Sequence, residues 1–309
     1  MNIELELKKL IKNVLNDLDL EEDIIIEIPK DRSNGDYSSN VAMKCCKKLG
    51  KSPIEIANLV KDNISSDLIE SIEIKNENKT LLYENGFLYN SSQTLIMCCS
   101  KEKDITVPEG IKTIGALSFK QATNVENVVF PDSLVSIQDR VFEGASNIKR
   151  IDIGKNVNNI SPIFKRRNYN GVVNIDKENT NYVIENNILY KLNNGKKERL
   201  VAVLTEITNN IEISKEVNII GTNAFFGQKS MTQIIIPKGV TSIEGGAFSE
   251  CSKLERVEIP NTVTDIANTA FSAESFNLSE IIIHNKENSI AGAPWGAAKG
   301  MKVVQWVGK

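Results

Sequence analysis

The sequence predicts a two-part chain: an α+β N-terminal domain over residues 1–76, then a β-rich solenoid of 23-residue coils, interrupted by β-hairpins, over 77–309. Three observations carry this expectation. At 309 residues the chain is too long for one small core, since a domain takes roughly 100–200 residues. Up to about residue 76 the apolar residues recur at helical spacing. After residue 80 the period changes and one pattern returns six times, which marks a stacked-repeat architecture.

In the first part, Leu7, Leu10, Ile11, Val14, Leu15 and Leu18 fall three and four apart, with Glu4, Glu6 and Lys8 among them. This is an amphipathic helix and not a secretory signal. The run Asp23 to Pro29 holds three consecutive isoleucines and predicts a strand. Asn34-Gly35 marks a turn. A second helix is expected over about 37–48, with Val41, Ala42, Cys45, Cys46 and Leu49 on one side and Lys44, Lys47, Lys48 and nearby Lys51 on the other. Ser52, Pro53 and Glu55 open a third helix through a Ser-x-x-Glu capping box. A strand from Ile69 to Ile74 and the polar run KNENKT close the domain.

The repeat units begin at Ile105, Val128, a degraded Ile151, then Ile211, Ile234 and Val257, with a partial unit from Ile281. The step is 23 residues within each series, with one step of 24. In each unit an apolar triplet such as Ile234–Ile236 forms a strand that Pro237 ends. Val240 and Ile243 point inward, Ala247-Phe248 follows, and Leu254 closes the coil. The rings of Phe119, Phe142, Phe164, Phe225, Phe248 and Phe271 recur at nearly one offset, so stacked coils place them in a ladder inside the core. A second repetition sits above this one: LLYENGFLYNSSQTLIMCCS precedes the first series and YVIENNILYKLNNGKKERLVAVLT the second. The expected layout is a hairpin over 80–100, coils over 105–164, a hairpin over 180–205, coils over 211–280 and a closing cap over 281–309. Asn85-Gly86 and Asn194-Gly195 are the turn candidates, the latter in a longer loop.

Composition narrows the chemistry. The formal net charge is −3, from 37 basic and 40 acidic residues, which argues against a general nucleic-acid binder. A single histidine, His284, removes most histidine-based catalysis and any multi-histidine metal site. No phosphate-binding glycine loop, cofactor motif or small-molecule substrate site is evident, so no cofactor and no metal are expected. The five cysteines form two adjacent pairs, Cys45-Cys46 and Cys98-Cys99, plus Cys251, with no C-x-x-C spacing. Small buried thiols in a reducing cytoplasm, with no membrane contact, are expected.

The repeat pattern resembles the BspA-type leucine-rich repeat, I-x-I-P-x-x-V-x-x-I-x-x-x-A-F-x-x-C-x-x-L, over about 80–309. Its cysteine position is filled only by Cys251, with Ala122, Ala145, Lys229 and Glu274 elsewhere. The ending AGAPWGAAKGMKVVQW is similar to the family's closing segment, with Trp295 and Trp306 covering the last coil. The stretch IPKDRSNGDYSSNVAMKCCKKLGKSPIEIANLVKDNI resembles the N-terminal additional domain of arginyl-tRNA synthetase, through Pro29, Gly35-Asp36-Tyr37, Asn40, Lys51-Ser52-Pro53 and Ile56-Ala57. The resemblance implies contact with the tRNA elbow, and the candidate patch is Lys30, Arg32, Lys44, Lys47, Lys48 and Lys51. Residues 1–79 carry 12 basic and 16 acidic residues, so RNA contact requires such a local patch. The His-x-Gly-His run of the synthetase's catalytic domain is absent, so no ligase activity is expected. The expected function is therefore non-catalytic protein binding through the repeat surface, at Lys112, Gln138, Thr241, Glu244 and Asp265. A tRNA-associated protein and a cell-surface adhesin are the alternatives.

Overall fold

The structure, a computed structural model, describes residues 3–18, 20, 22–29, 37–64, 66, 81–120, 122–161, 171–208, 211–272 and 277–308. Among the described residues, its N-terminal region has three α-helices. α1 (Ile3–Asn16) buries Ile11, Val14 and Leu15, the stripe that three- and four-residue spacing dictates. α2 (Val41–Leu49) stops at Gly50, whose φ of 62° lets its N–H reach the Cys46 carbonyl. In α3 (Pro53–Asn63), Glu55 N–H donates to Ser52 Oγ at 3.1 Å and Ser52 N–H donates to Glu55 Oε2 at 2.7 Å. These bonds hold the Glu55 carboxyl below the usual carboxylate range.

The strand expected over 23–29 shrinks to Ile26–Glu27, paired antiparallel with Ser38–Ser39. Ile24 and Ile26 are buried while Ile25 is exposed, so the two-residue alternation holds as far as Glu27 and ends at the exposed Ile28, where the pairing also ends. That pairing also moves the start of α2 from 37 to 41. The strand expected over 69–74 and the run KNENKT lie outside the described residues.

From Thr94 onward the coils stack in parallel, with two sheets in each half. In the first half Asp104–Thr106, Asn127–Val129, Arg150–Ile153 and Val172–Ile175 make a four-stranded sheet. The short strands Thr113–Ile114, Ser136–Ile137 and Asn159–Ile160 continue a second sheet from Thr94–Cys98. Ile105 aligns with Val128, and Val128 with Ile151. The register therefore equals the repeat length, and each β-branched side chain sits on its counterpart. The second half repeats this arrangement through Gln233–Ile235, Arg256–Ile259, Glu280–Ile283 and Val304–Trp306, with Ile219–Ile220, Ser242–Ile243 and Asp265–Ile266 opposite.

Three features depart from the sequence-based expectation. The first half gains a further rung, Val172–Ile175, because Arg150 aligns with Val172 at a step one residue short of the repeat. Each expected hairpin is a three-stranded antiparallel meander, Leu81–Glu84, Phe87–Asn90, Thr94–Cys98 and Tyr182–Glu185, Ile188–Asn193, Lys196–Val203. Its third strand starts the parallel ladder. Asn194-Gly195 is a tight turn between adjoining strands, not part of a longer loop, and Asn186-Asn187 is the counterpart of Asn85-Gly86. Finally, Gln228 rather than Lys229 fills the cysteine position. Gln228 is buried while Lys229 is exposed, and its amide bonds Ile207 N at 2.8 Å and Thr205 O at 3.0 Å.

The phenylalanines fill the interior. Phe119, Phe225, Phe248 and Phe271 are fully buried. Phe225 and Phe248 stack at 5.1 Å, and Phe248 and Phe271 at 5.3 Å. Phe142 is half-buried and tilted against Phe119 at 5.2 Å, with Phe130 joining them. Phe164 lies outside the described residues. Trp295 is fully buried and ends the stack. Its carbonyl accepts from Phe271 N at 3.0 Å, as Ala270 does from Phe248 at 2.9 Å. Trp306 packs edge-on to it at 6.2 Å.

Each meander is apolar on both faces. In the second, Ile188, Tyr190 and Leu200 join the core that follows, while Tyr182, Leu189, Ala202 and Leu204 join the core that precedes. Tyr182 Oη accepts from Ile160 N at 2.9 Å, satisfying the last short strand of the first half. In the first meander, Phe87, Leu95 and Cys98 face the following core. Cys99 and Met97, at the positions of Leu204 and Ala202, face the N-terminal helices instead. Those helices thus close the near end of the solenoid, as Trp295 and Val304–Trp306 close the far end. Because Phe248 lies between two stacked rings, Phe248→Ala is expected to cost about 3–5 kcal/mol, measured by denaturant unfolding; an unchanged midpoint would refute the ladder.

Candidate interaction surfaces

Period-two alternation leaves the middle residue of each apolar triplet pointing outward. Ile235 is 69% exposed and Val129 40%; Val172, the first residue of its strand and aligned with Arg150, is 59% exposed. They stand on rigid parallel strands amid charged and polar neighbours: Ile235 aligns with Glu258, and Val129 with Asp152 and Thr106. The charges there are mostly engaged. Arg150 pairs with Asp152 at 2.9 Å, and Arg256 with Glu258 and Glu280. His284 Nε2 lies 2.9 Å from Glu258 Oε1. The outward aliphatics were legible in the triplets Val128–Phe130 and Ile234–Ile236, whose middle position faces away from the core.

The residues expected to contact a protein lie on the other sheet or just beyond it. Lys112 is exposed. The other four spend polar atoms on the preceding coil. Gln138 Oε1 accepts from Ala116 N at 2.9 Å, Thr241 Oγ1 donates to Asn218 O at 3.2 Å, and Asp265 accepts from Ser242 Oγ at 3.0 Å. Glu244 is half-buried, bonded to Arg199 at 2.6 Å and to both Thr222 N and Oγ1. Burial pushes its carboxyl up, but the Arg199 and Thr222 bonds outweigh this and hold it below the usual range. Glu244 and Gln138 occupy equivalent positions, so both act first as clasps between coils.

The candidate RNA patch is partly committed as well. Lys44 Nζ donates to the Asp23 carbonyl at 2.6 Å, and Lys48 Nζ lies 3.2 Å from Glu22 Oε1. Lys51 is exposed. Lys30 and Arg32 lie outside the described residues, as does the Lys47 side chain. Among the described residues, no cluster of three or more His, Cys, Asp or Glu side chains is placed to hold a metal. Among the same residues, no helix is long and apolar enough to cross a membrane.

The profile of the BspA type leucine rich repeat region matches residues 92–209 and 203–294, in six copies. The chain belongs to the BspA-type leucine-rich repeat family. Solved structures similar to this BspA-type chain include a leucine-rich repeat protein from Eubacterium ventriosum, 22% identical over 68% of this chain and 72% of that one, with a TM-score of 0.47. Another is a leucine rich cell surface protein from Faecalibacterium prausnitzii, 22% identical over 60% and 61%, with a TM-score of 0.40. Residues 5–77 match the arginyl tRNA synthetase N terminal domain. Curated relatives include arginine–tRNA ligases of Staphylococcus carnosus, 37% identical over 84 residues, and of Methanosphaera stadtmanae, 41% identical over 73. The alignments cover 26% and 23% of the BspA-type chain and 14% and 13% of the ligases, so the chain spans about one seventh of their length.

The Glu244 clasp has a pH signature. Its carboxyl pKa is depressed on folding, so its contribution is present above the unfolded-state carboxylate range and is lost as pH falls through the lower folded value. Glu244→Gln is expected to lower stability at neutral pH by about 1–2 kcal/mol, with the difference from the parent chain shrinking in acid. Denaturant titrations at several pH values measure this; a gap that does not change with pH would discount the charge.

Proposed function

We propose that this chain is a non-catalytic interaction protein that holds a protein partner on the outward face of its parallel sheets. The observation that carries the reading is the set of exposed aliphatics, Ile235, Val172 and Val129, on strands whose surrounding charges are paired within the molecule. Rigid aliphatic side chains bind at little cost in conformational entropy, and a repeat solenoid offers an extended surface for this purpose. Among the described residues, the histidine and the repeat cysteine are both committed within the fold. His284 is held by Glu258, and the Cys251 thiol is buried and pushed up to about 12. All five cysteine side chains are buried, which suits a reducing compartment.

Affinity capture with the full chain, run beside Ile235→Glu and Val129→Glu, tests this. The expected result is a partner retained by the parent chain and lost by both variants at unchanged melting temperature. Equal capture by all three would remove this face from the reading.

A second reading rests on the domain match over residues 5–77: contact with tRNA through the N-terminal helices. Titrating the full chain with arginine tRNA at two salt concentrations is then expected to show binding that weakens with salt and drops in Lys51→Glu. No binding at low salt would end this reading and leave the helices with their structural role at the solenoid end.

A further inference from the structure

The seam between the N-terminal helices and the first meander contains two thiols in contact. Cys46 lies on α2, and Cys99 directly follows the strand Thr94–Cys98. Their Sγ atoms are 3.5 Å apart although 53 positions separate them in sequence, and both are buried. Met97 Sδ lies 3.7 Å from Cys46 Sγ. The backbone is pinned on each side: the Cys46 carbonyl accepts from Gly50 N at 2.9 Å, and Cys99 N donates to the Gly86 carbonyl at 2.7 Å. The neighbouring cysteines point elsewhere. Cys45 packs in the helical core and Cys98 in the core of the first half. Of the two adjacent pairs, one member of each thus meets the other across the seam.

We propose that Cys46 and Cys99 form an oxidation-driven lock, in which hydrogen peroxide converts the two thiols to a disulfide that fixes the N-terminal helices to the end of the solenoid. One thiolate attacks the O–O bond, becoming a sulfenic acid and releasing hydroxide, which takes up a proton to leave as water. The second thiolate attacks that sulfur, forming the S–S bond and expelling a second hydroxide, which also leaves as water. Both sulfurs are oxidised, both peroxide oxygens are reduced, and the two thiol protons end in water. Peroxide is close to water in size, and the two thiols come from different elements, α2 and the residue after the strand Thr94–Cys98, that meet in one buried cluster. Side-chain rotation closes the contact toward the ~2.05 Å bond. The bond closes a loop spanning the segment that joins helices to solenoid, so it restricts the unfolded chain and prevents the helices from leaving the meander.

The test uses the full chain treated with hydrogen peroxide, alkylated under denaturing conditions and digested with trypsin. The expected result is a loss of two hydrogens and one linked peptide pair, residues 45–47 to 80–101, with the alkyl group on Cys45 and Cys98. Cys46→Ala and Cys99→Ala are expected to abolish the link, while Cys45→Ala and Cys98→Ala retain it. The oxidised parent chain is expected to melt above its reduced form, a difference absent from Cys99→Ala. Linkage through Cys45 or Cys98, links between chains, or sulfinic acids at Cys46 and Cys99 without a link would each overturn the proposal. So would free thiols persisting after peroxide. The mapping on the unsubstituted chain decides the matter even if a variant fails to fold.

Discussion

The structure depends on the fact that a 23-residue coil cannot bury its own apolar side. Val240, Ile243, Phe248 and Leu254 point toward a space that only the next coil fills, so each unit is stable through its neighbours. Equal spacing makes the scheme work. With every rung in register, isoleucine meets isoleucine and ring meets ring at about 5 Å, and backbone N–H groups of one coil find carbonyls of the next. The same constraint creates two ends that cannot be left open. Trp295 with Val304–Trp306 closes one, and the N-terminal helices lie against Cys99 and Met97 at the other.

Much of this was legible in the residues. The repeat starts, the phenylalanine offsets, the Ser52–Glu55 capping box and the closing tryptophans each follow from a local rule with one dominant solution. What stayed hidden depended on partners distant in sequence. Val172–Ile175 carries the alternation of a strand, but it follows its neighbour by 22 residues instead of 23, so its place as a rung shows only in its pairing with Arg150–Ile153. The short pairing at Ile26–Glu27 is likewise set by where Ser38–Ser39 falls. Counting from the phenylalanine identifies Gln228 as the cysteine equivalent, yet its burial becomes visible only once its bonds to Thr205 and Ile207 are seen.

The surface was less legible than the core for a physical reason. Polar residues on a solenoid serve two purposes, solvation and the clasping of successive coils, and one sequence cannot distinguish them. Gln138, Thr241, Glu244 and Asp265 proved to reach back one coil, while the outward aliphatics Val129 and Ile235 stand on the opposite sheet. In the N-terminal region, Lys44 and Lys48 are drawn to the segment around Glu22 and Asp23. On a helix face that looks uniformly basic, Lys48 is thereby paired with a carboxylate and Lys44 is held by a backbone carbonyl.

The second meander sends Tyr182, Leu189, Ala202 and Leu204 into one core and Ile188, Tyr190 and Leu200 into the other, and so has no solvent-facing apolar side of its own. It behaves as a splice. A stack that would otherwise terminate is handed to a fresh one, with hydrophobic contact preserved across the joint and the polar edge of the old stack met by a tyrosine hydroxyl. A protein with such a joint can lengthen by whole blocks, since inserting another meander with its coils places each new surface against one already shaped to receive it. The near duplication of the two halves in this chain is the outcome such a joint permits.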